Sequence, residues 1–222
     1  MKIKKVILFL GCCLLSTNCT YAKGFNLNFL DKLKDKPLAQ ERLAPVKKVY
    51  DGELTLSEQA VILYNENNLN AALKKLVAIK ENQKTAEDWL LIGNILQDQE
   101  KDSDAVFMYQ RSINTDPKFY KAYYNLGNMY LEDEKPYLAI ENYKKAKRYN
   151  RDFPYVYYNL GCAYLKIGQL RKAKTYFIRA IDIKNTEPDF HYNLAYTYKK
   201  MKKEKLARLY LGYYNKLMGY SE

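Results

Sequence analysis

A short phrase returns in this chain at a constant interval. Residues 123–130 read YYNLGNMY, residues 157–164 read YYNLGCAY and residues 191–198 read HYNLAYTY, each 34 residues after the last. A weaker version, WLLIGNIL, stands one step earlier at residues 89–96. Inside each copy the small or apolar residues fall at i, i+3, i+4 and i+7, as in Tyr123, Leu126, Gly127 and Tyr130. That is the spacing of one helical face and not of a strand. A second periodic segment follows each copy: Ala105, Tyr109 and Ser112; then Ala139, Tyr143 and Ala146; then Ala173, Phe177 and Ala180. Each period therefore reads as two antiparallel helices joined by a short turn such as Lys166-Ile167-Gly168-Gln169. One such hairpin cannot bury its apolar face alone, so neighbouring periods must stack, and the fold is all-α.

Gly93, Gly127 and Gly161 each cost about 1 kcal/mol of helix propensity against alanine. Glycine kept mid-helix at that cost points to close approach by the partner helix. Ala105, Ala139, Ala173 and Ala207 are expected to supply the matching flat spot, with large aromatics filling the remaining volume. The order W-x2-L-G-x2-Y, then A-x3-F, then P is the pattern of the tetratricopeptide repeat. Trp89, Ile92, Gly93, Leu96, Ala105, Tyr109 and Pro117 follow it closely. The chain resembles that family over residues 86–218, and loosely over 54–85. The resemblance implies a right-handed α-α superhelical solenoid. Its units would be a degenerate first hairpin at 54–85, repeats at 86–119, 120–153 and 154–187, and a C-terminal repeat-like hairpin at 188–219. Arg151 and Asn185 stand where the pattern has proline, so those turns are expected to differ. Ala195, Leu211 and Tyr214 also depart from it, and a less regular last unit is expected.

The first 22 residues have the form of an export signal. Lys2, Lys4 and Lys5 precede the apolar run Val6–Leu15, and Thr20-Tyr21-Ala22 offers small residues at the −3 and −1 positions of a cleavage site. A mature start at Lys23 and a periplasmic or secreted location are expected. Lipidation at Cys12 or Cys19 and an uncleaved anchor are the competing readings. Cleavage would remove Cys12, Cys13 and Cys19, leave Cys162 alone and exclude an internal disulfide. The net charge is +12, and the leader holds three lysines and no acid, so the remainder carries 12 − 3 = +9. Residues 23–53 read as a largely irregular linker interrupted by Pro37 and Pro45.

Local signals mark the helix starts. Thr55 with Glu58 and Thr85 with Asp88 are capping-box pairs, and Pro154 and Pro188 stand where a first helical residue needs no amide proton. The last helix is expected from about Glu204 to Met218, stopping at Gly219. Its apolar residues occupy more than one side, which suggests burial on its own hairpin or pairing with another copy.

With the glycine of the first helix of each unit set at 0°, the buried stripe spans about −100° to 0° and a second face lies between about 40° and 160°. In the resembled family that second face lines the concave groove. The resemblance thus places Tyr124, Asn125, Asn128, Tyr158, Asn159, Cys162, Tyr192, Asn193 and Tyr196 there, after Leu90, Leu91 and Asn94 of the first unit. An asparagine amide can donate to and accept from a peptide backbone without reading sequence, and tyrosine offers broad contact with few rotors. The alternative is that these side chains mediate packing between repeats. Glu87, Asp98 and Glu132 lie toward the start of this face, and Lys166, Lys199 and Lys200 toward its end.

No catalytic set is visible. His191, the single histidine, occupies a core aromatic position, no metal-ligand spacing or phosphate loop occurs, and no cofactor is expected. Cys162 has no histidine near it in the pattern to activate it. The leading expectation is a non-catalytic protein–protein interaction scaffold of the bacterial envelope that holds an extended peptide in its groove. Two alternatives stand beside it. One is a basic surface for an anionic polymer or lipid headgroups, built on Lys144, Lys145, Lys147, Arg148 and Arg151 with Arg171, Lys172 and Lys174. The other is a structural subunit that pairs through residues 204–218. Nucleic acid is an unfavoured partner for an exported chain, and a membrane contact would run through the leader or a lipid anchor.

Overall fold

A computed structural model of the chain describes residues 54–220. The leader at 1–22 and the linker at 23–53 lie outside the described residues. Ten α-helices and one 3-10 turn at Glu81–Gln83 form the described chain, which contains no strand. They are α1 (Leu56–Asn65), α2 (Leu69–Ala78), α3 (Ala86–Asp98), α4 (Asp102–Thr115), α5 (Tyr120–Glu132), α6 (Pro136–Tyr149), α7 (Pro154–Lys166), α8 (Leu170–Ile183), α9 (Pro188–Lys200) and α10 (Glu204–Met218). Each odd-numbered helix packs on the even-numbered one that follows, and each hairpin packs on the next. The result is a right-handed α-α solenoid with one unbroken apolar core from Ala60 to Ala207.

The helix ends follow from local chemistry. Thr55 and Thr85 each accept from the amide three residues on, and Glu58 and Asp88 reach back to close both capping boxes. Pro136, Pro154 and Pro188 occupy first helical positions. Gly219, in the left-handed region at φ 72°, terminates α10. The tight turn inside each hairpin also needs one left-handed residue. It is Asn67, Glu100, Glu134, Gly168 or Lys202, with φ between 56° and 74°, and only Gly168 holds that conformation without a side-chain penalty.

The three turns that join the last four hairpins are alike, contrary to the expectation drawn from the missing prolines. The hydroxyl of Tyr123 donates to the carbonyl of Pro117 at 3.1 Å, and that of Tyr157 to Arg151 at 3.0 Å. His191 Nε2 lies 2.9 Å from the carbonyl of Asn185 in the same relation. The backbone before each turn matches too: φ is −132° at Asp116, −137° at Asn150 and −144° at Lys184. A side chain six residues downstream latches the turn, so proline is dispensable there. His191 thus serves as a buried latch in a tyrosine position.

The glycine contact is real, but its partner is not the expected alanine. A Cβ on Gly93 would lie 2.5 Å from the ring of Tyr109, one on Gly127 2.5 Å from Tyr143, and one on Gly161 2.5 Å from Phe177. The missing side chain makes room for an aromatic ring 16 positions later, and Ala105, Ala139 and Ala173 are buried elsewhere in the hairpin. The end hairpins solve the same problem differently. At the corresponding positions they carry Ala60 with Leu76, and Ala195 with Leu211. A methyl group is allowed where the opposing ring has become a leucine.

Candidate functional site

The side chains assigned to the groove fall into two groups. The asparagines are buried: Asn125 is 9 % exposed, Asn159 8 % and Asn193 4 %. Their amides link one repeat to the one before. Asn125 Nδ2 donates to Asn94 Oδ1 at 2.8 Å, and Asn159 Nδ2 donates to Asn128 Oδ1 at 2.8 Å and to the hydroxyl of Tyr124 at 3.1 Å. Asn193 Nδ2 donates to the hydroxyl of Tyr158 at 2.8 Å and to its own helix at Asp189 O, 3.1 Å away. The acceptors receive a second donor from inside their own hairpin. Tyr109 donates to Asn94 Oδ1 at 2.9 Å and Tyr143 to Asn128 Oδ1 at 2.8 Å. These bonds form a ladder through the interior of the solenoid.

The ladder explains residue choices that looked unrelated. Asn94 pairs with Tyr109 and Asn128 with Tyr143, each 15 positions apart. In the next unit the same two positions hold Cys162 and Phe177, so the hydroxyl and its acceptor disappear together. Here Asn193 donates to the Tyr158 hydroxyl and the Asp189 carbonyl, where Asn125 and Asn159 each donate to an asparagine side-chain oxygen. By periodicity alone Tyr109 and Tyr143 are core aromatics. The 15-residue Asn–Tyr coincidence was the signal that they also carry a buried hydrogen bond. Cys162 is buried and is not part of a disulfide among the described residues. Removing the three asparagines should therefore weaken the packing of one repeat on the next, because each is a buried amide bonded across that boundary.

The tyrosines form the second group. Tyr124, 3 % exposed, packs edge-on against Phe153 with ring centroids 4.9 Å apart. Tyr158 stacks on Phe190 at 4.9 Å but is only half-buried. Tyr192 and Tyr196 are also half-buried; the Tyr192 ring lies 5.3 Å from that of Tyr214, and Lys200 Nζ sits 5.4 Å from that of Tyr196. Tyr158, Tyr192 and Tyr196 therefore keep accessible area, whereas Tyr124, Cys162 and the asparagines are packing residues. Leu90, Leu91 and Asn94 are buried as well.

Charge is graded along the odd-numbered helices. At one end Asp98 accepts from the Tyr64 hydroxyl at 2.9 Å. Glu132 is pushed up to about 7, first by burial and then by the Asp102 carboxylate, against a hydrogen bond from Gln97. At the other end stand Lys199 and Lys200, while Lys166 pairs with Glu134 at 3.5 Å. The folded state binds a proton at Glu132 more tightly than the unfolded chain does. The contribution of Glu132 to stability should therefore be greatest below the ordinary carboxylate range and be lost as pH rises through about 7. Urea titrations of wild type and Glu132→Gln should differ little near pH 4. They should separate by about 1–2 kcal/mol in favour of the variant near pH 8, allowing for partial solvent screening. Parallel pH profiles would show that Glu132 is solvated.

The basic clusters lie on the even-numbered helices and their turns. Lys144, Lys145, Arg148, Arg151, Arg171 and Lys172 are exposed. Lys147 rests 5.4 Å from the Tyr176 ring, and Lys145 pairs with Glu141 at 3.0 Å. Among the described residues no group of three or more His, Cys, Asp or Glu side chains converges as metal ligands would.

Comparison with known proteins agrees with this geometry. Models described as tetratricopeptide repeat match residues 108–141 and 154–187, and one described as TPR repeat matches residues 138–168. No curated protein matches the sequence. Among solved structures, MamA residues 41 to the end from Desulfovibrio magneticus RS-1 superposes with TM-score 0.66 at 20 % identity, covering 73 % of this chain and 93 % of that one. A second MamA crystal structure gives 0.65 at 19 % identity, over 77 % and 97 % of the two chains. MamA MSR-1 gives 0.62 at 21 %, over 74 % and 95 %. At this identity the likeness speaks for the fold.

Proposed function

We propose, on the premise that this chain is a tetratricopeptide-repeat protein and so a protein-interaction scaffold, that it holds an extended peptide segment of another envelope protein along its odd-numbered helices. The chemistry is positional and non-catalytic. The asparagine ladder sets the pitch of the solenoid from within. The half-buried rings of Tyr158, Tyr192 and Tyr196 offer contact area that is already ordered, which limits the entropy lost on binding. The export signal read in residues 1–22 supports a location beyond the cytoplasmic membrane.

The observation that carries this reading is the charge gradient on one face, from Asp98 and Glu132 to Lys199 and Lys200. A peptide with basic residues at one end and acidic residues at the other would bind in a single direction. A cationic side chain would also relieve the desolvated Glu132 carboxyl, whose proton affinity is raised by burial and by Asp102. Lys199→Glu with Lys200→Glu should reduce partner capture about tenfold or more, since like-charge contact costs on the order of kilocalories. Capture from native envelope extract, quantified by mass spectrometry, checks it. Undiminished capture with an unchanged partner list would contradict the groove assignment.

A further inference from the structure

The outer face of α10 differs from those of the even-numbered helices before it. Leu206, Leu209, Tyr213 and Leu217 are 37 %, 48 %, 46 % and 40 % exposed. At about 100° per residue they fall within about 80° of arc, a single stripe. In the same register α8 carries Lys172, Thr175, Arg179 and Ile183, and α6 carries Leu138, Glu141, Lys145 and Tyr149. Earlier units thus place two charged side chains among these four positions, and the last unit places none. Lys205 and Lys216 border the stripe on one side, with Arg208 beyond them. From Lys202 to Met218 five cations (Lys202, Lys203, Lys205, Arg208 and Lys216) face one acid, Glu204.

That charge decides between occupants. A second copy laid across the stripe would bring two cationic borders together, whereas an anionic lipid surface would neutralise them. Leucine and tyrosine on one arc with lysine and arginine beside it is the composition of a helix lying in a bilayer interface. Tyrosine suits that depth because its ring is apolar and its hydroxyl is wet. The Tyr213 ring is steadied by His191 and Tyr210, with centroids 5.6 Å and 5.7 Å away. No described helix is long and apolar enough to cross a membrane, so the contact would be superficial. We propose that α10 docks the C-terminal end of the solenoid on an anionic phospholipid surface, with Leu206, Leu209, Tyr213 and Leu217 entering the interface and the flanking lysines and Arg208 meeting headgroups. This contact is independent of the leader and of the peptide groove.

The test uses the full chain carrying Tyr213→Trp, so that binding through residues 1–22 is not mistaken for binding through α10. The native Trp89 lies in α3, 8 % exposed, and serves as the reference. Vesicles containing brominated lipid and rich in phosphatidylglycerol should quench the variant well beyond wild type. Apparent affinity should be about tenfold or more above that for neutral phosphatidylcholine, and high salt should reverse it. Adding Leu206→Glu and Leu209→Glu should remove the excess quenching while circular dichroism stays unchanged. Absence of excess quenching in the folded protein, or equal quenching by neutral vesicles, overturns the proposal. So does a sedimenting dimer that Leu209→Glu disperses while vesicles leave position 213 unquenched; that result assigns the stripe to a second copy.

Discussion

Gly127→Leu is expected to lower the melting transition substantially. A first carbon on residue 127 already meets the Tyr143 ring at 2.5 Å, and a leucine brings three more behind it. The ring has nowhere to go. Its hydroxyl is held by Asn128 Oδ1 at 2.8 Å, and its ring packs at a tilt beside that of Tyr124, 6.0 Å between centroids. Overpacking a tight core costs about 1–3 kcal/mol and more where nothing can yield. A domain of this size has roughly 5–15 kcal/mol in hand, so a loss of about 4 kcal/mol or more should lower the melting midpoint by about 8–16 °C or more. The alanine variant separates the causes. Gly127→Ala regains about 1 kcal/mol of helix propensity but still meets the ring, so a smaller net loss is expected. Tyr143→Leu should recover part of it, because Ala195 with Leu211 is that combination in the last hairpin. A Gly127→Leu protein melting like wild type would show that the hairpin register is wrong.

The second large effect is expected from Asn125→Ala, Asn159→Ala and Asn193→Ala combined. Each substitution breaks a buried hydrogen bond between repeats, at about 1–2 kcal/mol. Two considerations moderate the sum. Asn94 and Asn128 keep their tyrosine donors, and alanine is the better helix former by about half a kilocalorie at each site. A net loss of about 2–4 kcal/mol follows. The shape of the transition is the sharper readout. The ladder joins repeats and not the two helices of one hairpin, so its removal weakens nearest-neighbour coupling in a linear array. Urea unfolding should broaden as well as shift. An unchanged midpoint and slope would mean that the amides face solvent.

These two results draw on parts of the molecule that were unequally legible in the sequence. The hairpins, their caps and the glycine positions could be read directly, because apolar periodicity and capping chemistry are local. The aromatic partner of each glycine could not, since choosing between Tyr143 and Ala139 requires the relative rotation of two helices. The asparagines were harder still. The odd-numbered helices in the middle of a solenoid are covered on several sides, by their own hairpin and by both neighbours. From Ala122 to Met129 every residue of α5 is buried. A helical wheel treats polar residues off the apolar stripe as exposed, and here that equation fails because asparagine is buried by pairing. The charged face escaped this difficulty. Long side chains such as Lys199 and Lys200 are seldom placed inside, so their positions could be read from spacing alone.

The most direct test of the scaffold account is site-specific photocrosslinking in living cells. A benzophenone side chain would replace Tyr158 or Tyr196 on the face assigned to ligand, and Tyr137, 71 % exposed on an even-numbered helix, would serve as the control. The account predicts the same covalent protein adduct from positions 158 and 196 and none from 137. An adduct from 137 with positions 158 and 196 silent would contradict it.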